Sequence, residues 1–197
     1  MDGYMKKILD VDLSKGTINI ISANNKNLEE YIGGGGLGTK MLLDRRGFDA
    51  DPLSAQNPII FMTGPFANTP AITSGRHSIV TKSPLTGCFA ESDVGGTWGP
   101  SLKRAGYDGI VISGKAKQPV YLLVTDSNIE IRAAEHLWGK DSFETEESIR
   151  KETGEKSVTA CIGPAGEKQV PIAAIMHDGR AARAAGRCGL GAVMGSK

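Results

Sequence analysis

Alternating apolar and polar positions predict that most of this chain consists of short β-strands. Runs rich in Val, Ile, Leu and Phe recur along the sequence and are bounded by Gly, Pro, Asn, Asp and Ser. The predicted strands comprise residues 7–11, 17–21, 59–62, 77–81, 88–91, 109–114, 120–124, 129–132, 157–162 and 170–175. Short turns join several of them, so we expect β-hairpins over residues 7–21, 77–91 and 120–132.

Helical spacing of apolar positions is confined to a few segments. In the first part of the chain, Asn27 is the predicted N-cap of a helix over residues 28–32. A second helix is predicted over residues 37–46, where leucines and a methionine share one face. The glycines at 33–36 are expected to break or bend any helix around them.

Two further helices are predicted later in the chain. Pro100 is expected to begin a short helix that ends at Gly106. Asp141 is expected to cap a longer helix over residues 141–154, which carries its acidic residues first. Together the elements predict an α+β fold dominated by β-structure, with two packed β-sheets and a few short helices.

Composition restricts the class of protein. A chain of 197 residues with 40% hydrophobic content can bury the core of one domain, which we expect to span residues 1–197. The net charge of +1 gives no reason to expect a nucleic-acid or membrane partner, so any anion site must be local. Three widely spaced cysteines, without a signal-peptide-like N-terminus, indicate a reducing, cytoplasmic location.

Two polar segments suggest that the sheet presents a ligand site from its loops. Arg76 directly precedes a predicted strand, and Gly95 and Gly96 directly follow the next strand region. An arginine offers a permanent charge and several donors, while glycines allow backbone N–H groups to approach ligand oxygens. The alternative is an ordinary surface arginine beside ordinary turns. Residues 178–191 combine three arginines with small residues; they suit a phosphate-rich ligand or, alternatively, form a basic surface helix.

Other apparent motifs carry less weight. Gly33, Gly35 and Gly38 formally match a dinucleotide fingerprint, but a helical pattern rather than a strand precedes them. Residues 33–40 and 189–197 resemble a phosphate loop whose lysine is displaced. The three histidines, His77, His136 and His177, lack metal-ligand spacing and are each expected to be structural or solvated.

Four blocks of sequence resemble the tungsten- or molybdenum-dependent aldehyde:ferredoxin oxidoreductases. They are TSGRHSIVTKSPLTG at 73–87, DVGGTWGPSLKRAGYDGIVISGKA at 93–116, IGPAGE at 162–167 and RAAGRCGLGAVMGSK at 183–197. Their order is that of the family's N-terminal domain, and the resemblance extends over essentially the whole chain. It implies a base of two β-sheets on which a tungsten (or molybdenum) bis-pterin cofactor lies.

The resemblance also assigns individual residues. It places Arg76 between the pterin and a neighbouring iron–sulfur cluster, and Gly95 at the pterin. The backbone carbonyls of Asp93 and Ala184 correspond to ligands of a Mg²⁺ ion that bridges the two pterin phosphates. Asp93 stands where the resemblance implies an asparagine, and its carboxylate would repel phosphate if it faced that group. The remaining match is to the family's R-A-x-G-R motif around the phosphates, formed by Arg183, Ala184, Gly186 and Arg187.

The implied reaction is the oxidation of an aldehyde to a carboxylic acid, with electrons passing through a 4Fe–4S cluster to ferredoxin. Such a cluster needs four cysteine thiolates, and Cys88, Cys161 and Cys188 have the wrong number and spacing. We therefore expect the cluster, the acid–base residues and the substrate pocket in later domains or in a separate chain. Alternatives are a non-catalytic pterin-binding or assembly subunit of a split enzyme, and a β-domain used for protein–protein interaction.

Overall fold

The computed structural model describes residues 3–197; Met1 and Asp2, the first two residues of the predicted domain, lie outside the described residues. The strands are β1 Lys7–Asp12, β2 Thr17–Ser22, β3 Ile59–Thr63, β4 His77–Lys82, β5 Phe89–Val94, β6 Gly109–Ser113, β7 Val120–Val124, β8 Ile129–Ala133, β9 Ala160–Cys161, β10 Ile175–His177 and β11 Arg183–Ala185. The α-helices are α1 Asn25–Tyr31, α2 Gly34–Asp44, α3 Trp98–Arg104, α4 Ser142–Thr153, α5 Pro164–Glu167 and α6 Leu190–Gly195. Single 3₁₀ turns occupy Gly47–Asp49, Glu135–Leu137 and Gly179–Ala181.

A mixed six-stranded sheet forms the centre of the fold, in the order β2-β1-β6-β3-β4-β5. Strands β1 and β6 pair in parallel, and the other neighbours pair antiparallel. Because side chains alternate along a strand, β3 sends Ile59 and Phe61 to one face and Ile60 and Met62 to the other, and all four are buried. Both faces of the sheet are therefore covered.

Different elements cover the two faces. Helices α1 and α2 pack on one face through a cluster that contains Leu28, Leu37 and Leu42. The opposite face packs against α3, α6 and two small sheets, β11-β10-β9 and β7-β8. The predicted α+β class is confirmed, with one large sheet against two smaller ones rather than two sheets of similar size.

The glycines of α2 do not break this helix but let it pack against the sheet. The helix begins at Gly34, inside the run that we expected to interrupt it, and its N-terminal neighbour α1 is capped by Asn24 rather than by Asn27. A Cβ atom at Gly38 would lie 3.0 Å from Val80 Cγ2, and one at Gly36 would lie 2.6 Å from the Tyr31 carbonyl oxygen. Small residues allow α2 to approach the sheet closely. The packing gained in this way outweighs the poor helix propensity of glycine.

The later helices agree better with the pattern. Asp141 caps α4 through a capping box with Glu144, and Gly154 ends the helix, as predicted. Helix α3 begins at Trp98, two residues before the predicted start at Pro100. Proline lies in the first turn, where its missing N–H leaves no intrahelical bond unmade.

The C-terminal third differs most from the prediction. Only residues 160–161 of the expected strand 157–162 are in a sheet, because Ser157 and Thr159 bond to α4. Pro171 interrupts the expected strand 170–175, so β10 starts at Ile175 and α5 fills the connection between the two. The basic segment is not a surface helix: a 3₁₀ turn and β11 precede α6.

Candidate functional site

Three segments that are distant in sequence converge beside the open edge of β5. A Cβ atom at Gly75, the neighbour of Arg76, would lie 2.5 Å from the Gly96 carbonyl oxygen. A Cβ atom at Gly96 would lie 3.1 Å from Arg183 Cγ. The structure thus brings together the Arg76 loop, the Gly95–Gly96 turn and the start of the R-A-x-G-R segment through backbone contacts that only glycine permits.

A carboxylate joins two of these segments. Asp178 accepts hydrogen bonds from Thr97 N at 2.7 Å and from Thr97 Oγ1 at 2.8 Å. Gly96, with φ of +99°, leaves room for this carboxylate, since a side chain there would collide with it. Asp178 is itself in the left-handed region with φ of 58°, a conformation that Asp tolerates better than most residues. The contact fixes the end of β10 to the turn after β5.

Replacing Asp178 with alanine is expected to lower the free energy of unfolding by about 2 kcal/mol, because two hydrogen bonds to a charged acceptor disappear. Asp178→Asn keeps an oxygen acceptor and the tolerance for positive φ, so its loss is expected to be less than half as large. Urea unfolding of both variants tests this contact. Equal losses for alanine and asparagine would show that the hydrogen bonds contribute nothing.

The segment from Arg183 to Cys188 runs antiparallel along β5. Arg183 lies at Gly96, while Cys188 Sγ lies 3.9 Å from the Glu91 carbonyl oxygen at the other end of the strand. The Glu91 carbonyl therefore points out of the sheet edge. Backbone groups alternate in direction along an antiparallel strand, so the carbonyl of Asp93, two residues further on, faces the same edge. Ala184 lies on β11, in the separate three-stranded sheet.

This edge carries positively charged side chains beside the carboxylates of Asp93 and Asp178. Arg76, Arg183 and Arg187 are exposed, and within residues 3–197 none of them forms a salt bridge. The Asp93 carboxylate accepts a hydrogen bond from Ser78 Oγ at 2.5 Å, on the face of the sheet that α2 covers. This hydrogen bond engages one carboxylate oxygen across the strands, and Asp93 remains exposed.

The small residues of the site remain accessible. Gly95 is half-buried, and a Cβ atom there would have no neighbour within 4 Å. Ala184 and Gly186 are exposed. Backbone N–H and carbonyl groups can thus reach a ligand at these positions. All seven residues predicted for the site lie on the three segments. The contacts that join these segments are made by the neighbouring residues Gly75, Gly96 and Cys188.

A buried aromatic cluster lies directly behind the site. Nε2 of His77 and Nε2 of His177 are 3.3 Å apart, and the Trp98 ring lies 4.7 Å from the His77 ring and 5.8 Å from the His177 ring. Burial, together with the neighbouring His177, lowers the pKa of His77 to about 3. Burial lowers the pKa of His177 to about 4, although the Ile175 backbone and the Asp178 carboxylate each act to raise that pKa. Both rings are neutral at pH 7.

The sequence did not predict this contact. Each histidine was expected to be an isolated structural or solvated residue, but His77 directly follows Arg76 and His177 directly precedes Asp178. That adjacency to site residues was the only signal available. His136, by contrast, lies on the surface and bonds to Glu152 at 2.6 Å.

Metal-ligand clusters and membrane helices are lacking in the described part of the chain. No group of three or more His, Cys, Asp or Glu side chains within residues 3–197 could hold a metal ion. Cys88, Cys161 and Cys188 are free, and burial raises the pKa of Cys161 to about 12, which disfavours a thiolate ligand. In the same residues no helix combines the length and apolarity needed to cross a bilayer.

One cavity lies apart from the arginines. It has a volume of about 1190 Å³ and separates the large sheet from the β7-β8 ribbon and α4. Its walls include Leu122, Val124 and Ile131, and Trp98 lines it near the histidine pair.

Comparison with known proteins identifies the family. A family model described as the N-terminal domain of aldehyde ferredoxin oxidoreductase matches residues 8–197. The chain belongs to the aldehyde ferredoxin oxidoreductase family. The resemblance carried by the four sequence blocks is thereby confirmed.

Aldehyde ferredoxin oxidoreductases of archaea are similar over the full chain. The chain is 49% identical over 198 residues to the tungsten-containing aldehyde ferredoxin oxidoreductase of Pyrococcus abyssi and also to that of Pyrococcus furiosus. Each match covers 100% of this chain and 32% of the relative. The chain therefore spans about a third of the length of these relatives.

Proteins named for other reactions share the same domain. The WOR-like subunit of an aliphatic sulfonate oxidoreductase of Pyrococcus furiosus is 39% identical over 213 residues, which are 100% of this chain and 34% of that protein. The active-site complex BamBC of benzoyl coenzyme A reductase, solved with 1,5-dienoyl-CoA, superposes with a TM-score of 0.95 at 42% identity. That match covers 100% of this chain and 30% of the solved chain. The fold alone does not determine the reaction.

Proposed function

We propose that this chain is the metallopterin-binding N-terminal domain of a larger tungsten-dependent oxidoreductase that oxidises aldehydes to carboxylic acids. The observation that carries the proposal is a group of three exposed arginines, Arg76, Arg183 and Arg187, beside two open strand edges. Among residues 3–197 these arginines have no salt-bridge partner. Tungsten rather than molybdenum is supported by the names of the relatives that are 46–49% identical.

The residues present fit a doubly phosphorylated ligand bridged by Mg²⁺. Arg183 and Arg187 would clamp the phosphates, since guanidinium groups match phosphate oxygens in shape and charge. The backbone carbonyls of Asp93 and Ala184 would bind the Mg²⁺ ion, which prefers oxygen ligands. Gly95 and Gly186 would admit the ligand close to the backbone, and Arg76 would contact the pterin on the side of the iron–sulfur cluster.

Other parts of the enzyme would supply the remaining chemistry. The tungsten bis-pterin group would carry the oxidation, and a 4Fe–4S cluster held outside this chain would pass electrons to ferredoxin. This chain's role is to bind and orient the cofactor through its phosphate end. The partners are accordingly downstream domains or a separate cluster-binding chain. The free cysteines accord with a cytoplasmic enzyme.

An aldehyde substrate is favoured by the pattern of identities. The relatives named as aldehyde ferredoxin oxidoreductases are 46–49% identical, whereas the aliphatic sulfonate oxidoreductase subunit is 39% identical and the benzoyl coenzyme A reductase chain is 42% identical. Nucleic acid is not proposed as a partner, because the net charge of +1 provides no general attraction to it.

The experiment replaces Arg183 and Arg187 with alanine in the full-length polypeptide, purified anaerobically. Losing two charge-assisted hydrogen bonds of about 1.5 kcal/mol each is expected to weaken cofactor binding roughly 100-fold. Tungsten and magnesium per polypeptide, measured by mass spectrometry of the elements, should fall accordingly. Arg180→Ala, an exposed arginine in the neighbouring 3₁₀ turn, is the matched control and should retain both metals. Undiminished metal content in the double variant would refute the proposed phosphate site.

A further inference from the structure

The His77–His177 contact joins the two sheets that carry the proposed magnesium ligands. His77 lies on β4, where its Cα partner on β5 is Val94, the residue after Asp93. His177 lies on β10, where its Cα partner on β11 is Arg183, the residue before Ala184. Each histidine therefore lies on the strand next to a residue assigned to Mg²⁺, and its direct partner on that strand is the sequence neighbour of the assigned residue. The histidine pair is thus one of the contacts between the six-stranded and three-stranded sheets.

The contact is polar, although its surroundings are apolar. The two Nε2 atoms are 3.3 Å apart, so a hydrogen bond between neutral rings requires opposite tautomers, with one Nε2 protonated and the other bare. The side chains of His77 and His177 are 2% and 1% exposed. Within residues 3–197, both Nδ1 atoms are buried without a hydrogen-bond partner.

Packing alone does not account for histidine at these positions. Two apolar aromatic rings would fill the same space and stack on Trp98 without leaving buried Nδ1 atoms unpaired, which is costly. A hydrogen bond differs from apolar packing because it fixes the distance between the two rings within a few tenths of an ångström. A polar contact retained at such a cost suggests a positional requirement.

We infer that the His77–His177 hydrogen bond sets the spacing between the Asp93 and Ala184 carbonyls, and that both histidines are positioning residues for the Mg²⁺-bridged phosphates. The inference rests on the proposed function. The Thr97–Asp178 contact joins the same two parts of the fold nearer the solvent. The histidine bond adds a directional, buried contact beside it and beside the apolar packing between the sheets.

The experiment compares glutamine and phenylalanine at each histidine in the full-length polypeptide. The amide of glutamine reaches about the position of Nε2 and retains the hydrogen bond, whereas phenylalanine retains the ring contact with Trp98 and removes the bond. His77→Phe and His177→Phe are expected to lose Mg²⁺ and tungsten about 10-fold faster during incubation with EDTA, as for other residues that orient metal ligands. His77→Gln and His177→Gln are expected to retain both metals at the wild-type rate.

Two other results would overturn the inference. If the phenylalanine variants retain metal while the glutamine variants lose it, the rings act through packing; if all four variants behave alike, the hydrogen bond has no positioning role. Thermal unfolding shows which variants are folded, and the use of two positions keeps the comparison valid if one variant does not fold. Metal loss in Arg183→Ala/Arg187→Ala but in none of the histidine variants would refute only this inference. Retention in that arginine variant would refute the phosphate site itself.

Discussion

Replacing Asp108 with alanine is expected to destabilise the folded chain by about 3–5 kcal/mol, because it leaves a buried lysine without its counter-charge. Lys103 Nζ lies 2.5 Å from Asp108 Oδ1, and the two side chains are 1% and 2% exposed. Asp108 also accepts hydrogen bonds from the backbone N–H groups of Met5 and Lys6, at 3.1 and 2.6 Å. The carboxylate thus joins α3 to the chain just before β1, and alanine removes all three contacts.

An exposed ion pair provides the matched control. Glu147 and Lys151 on α4 are 2.7 Å apart, with side chains 68% and 70% exposed, so Glu147→Ala is expected to have little effect on stability. Urea unfolding of the 197-residue chain measures both variants. A similar cost for Asp108→Ala and Glu147→Ala would show that burial does not strengthen the Lys103–Asp108 contact.

Acidification is expected to unfold the chain through the two buried histidines. In the fold the pKa of His77 is about 3 and that of His177 about 4, against 6.5 for an exposed histidine. The unfolded chain therefore binds more protons between pH 6.5 and about 4, and stability falls with pH across that window. Each histidine contributes a slope of roughly 1.4 kcal/mol per pH unit, so the two together remove about 5 kcal/mol at pH 4.5. Above pH 6.5 their contribution is constant.

The double variant His77→Phe/His177→Phe isolates this effect. Carboxylates elsewhere titrate equally in both proteins, so the difference in unfolding free energy between wild type and variant reports the histidines alone. That difference is expected to change by several kcal/mol between pH 7 and pH 4.5, measured by urea unfolding at each pH. A constant difference would contradict neutral, buried histidines.

Local patterns predicted the elements that depend on neighbours in sequence. The hairpins β1-β2, β4-β5 and β7-β8 form where apolar alternation and turn residues placed them. The capping box of α4 also forms as expected, because all its groups lie within a few residues. The four sequence blocks led to the correct family. They also selected site residues whose segments converge at one edge.

Errors arose where tertiary contacts overrode local preference. The glycines at the start of α2 should weaken a helix by their conformational freedom, but the space they leave lets α2 pack against Val80. For residues 178–191 a basic surface helix was one of two open alternatives, and the left-handed conformations of Asp178 and Ala182 exclude it at the start of the segment. Neither the packing of α2 nor the left-handed residues can be recognised from the local sequence alone.

The sequence by itself determined the α+β class, the hairpins, the family and the basic character of residues 178–191, since these follow from side-chain period, composition and shared blocks. Only the tertiary structure decided which polar groups meet. His77 and His177 are 100 positions apart, and Thr97 and Asp178 are 81 positions apart. Contacts at such separation depend on how the sheets pack against each other, and no local period of the chain encodes that arrangement.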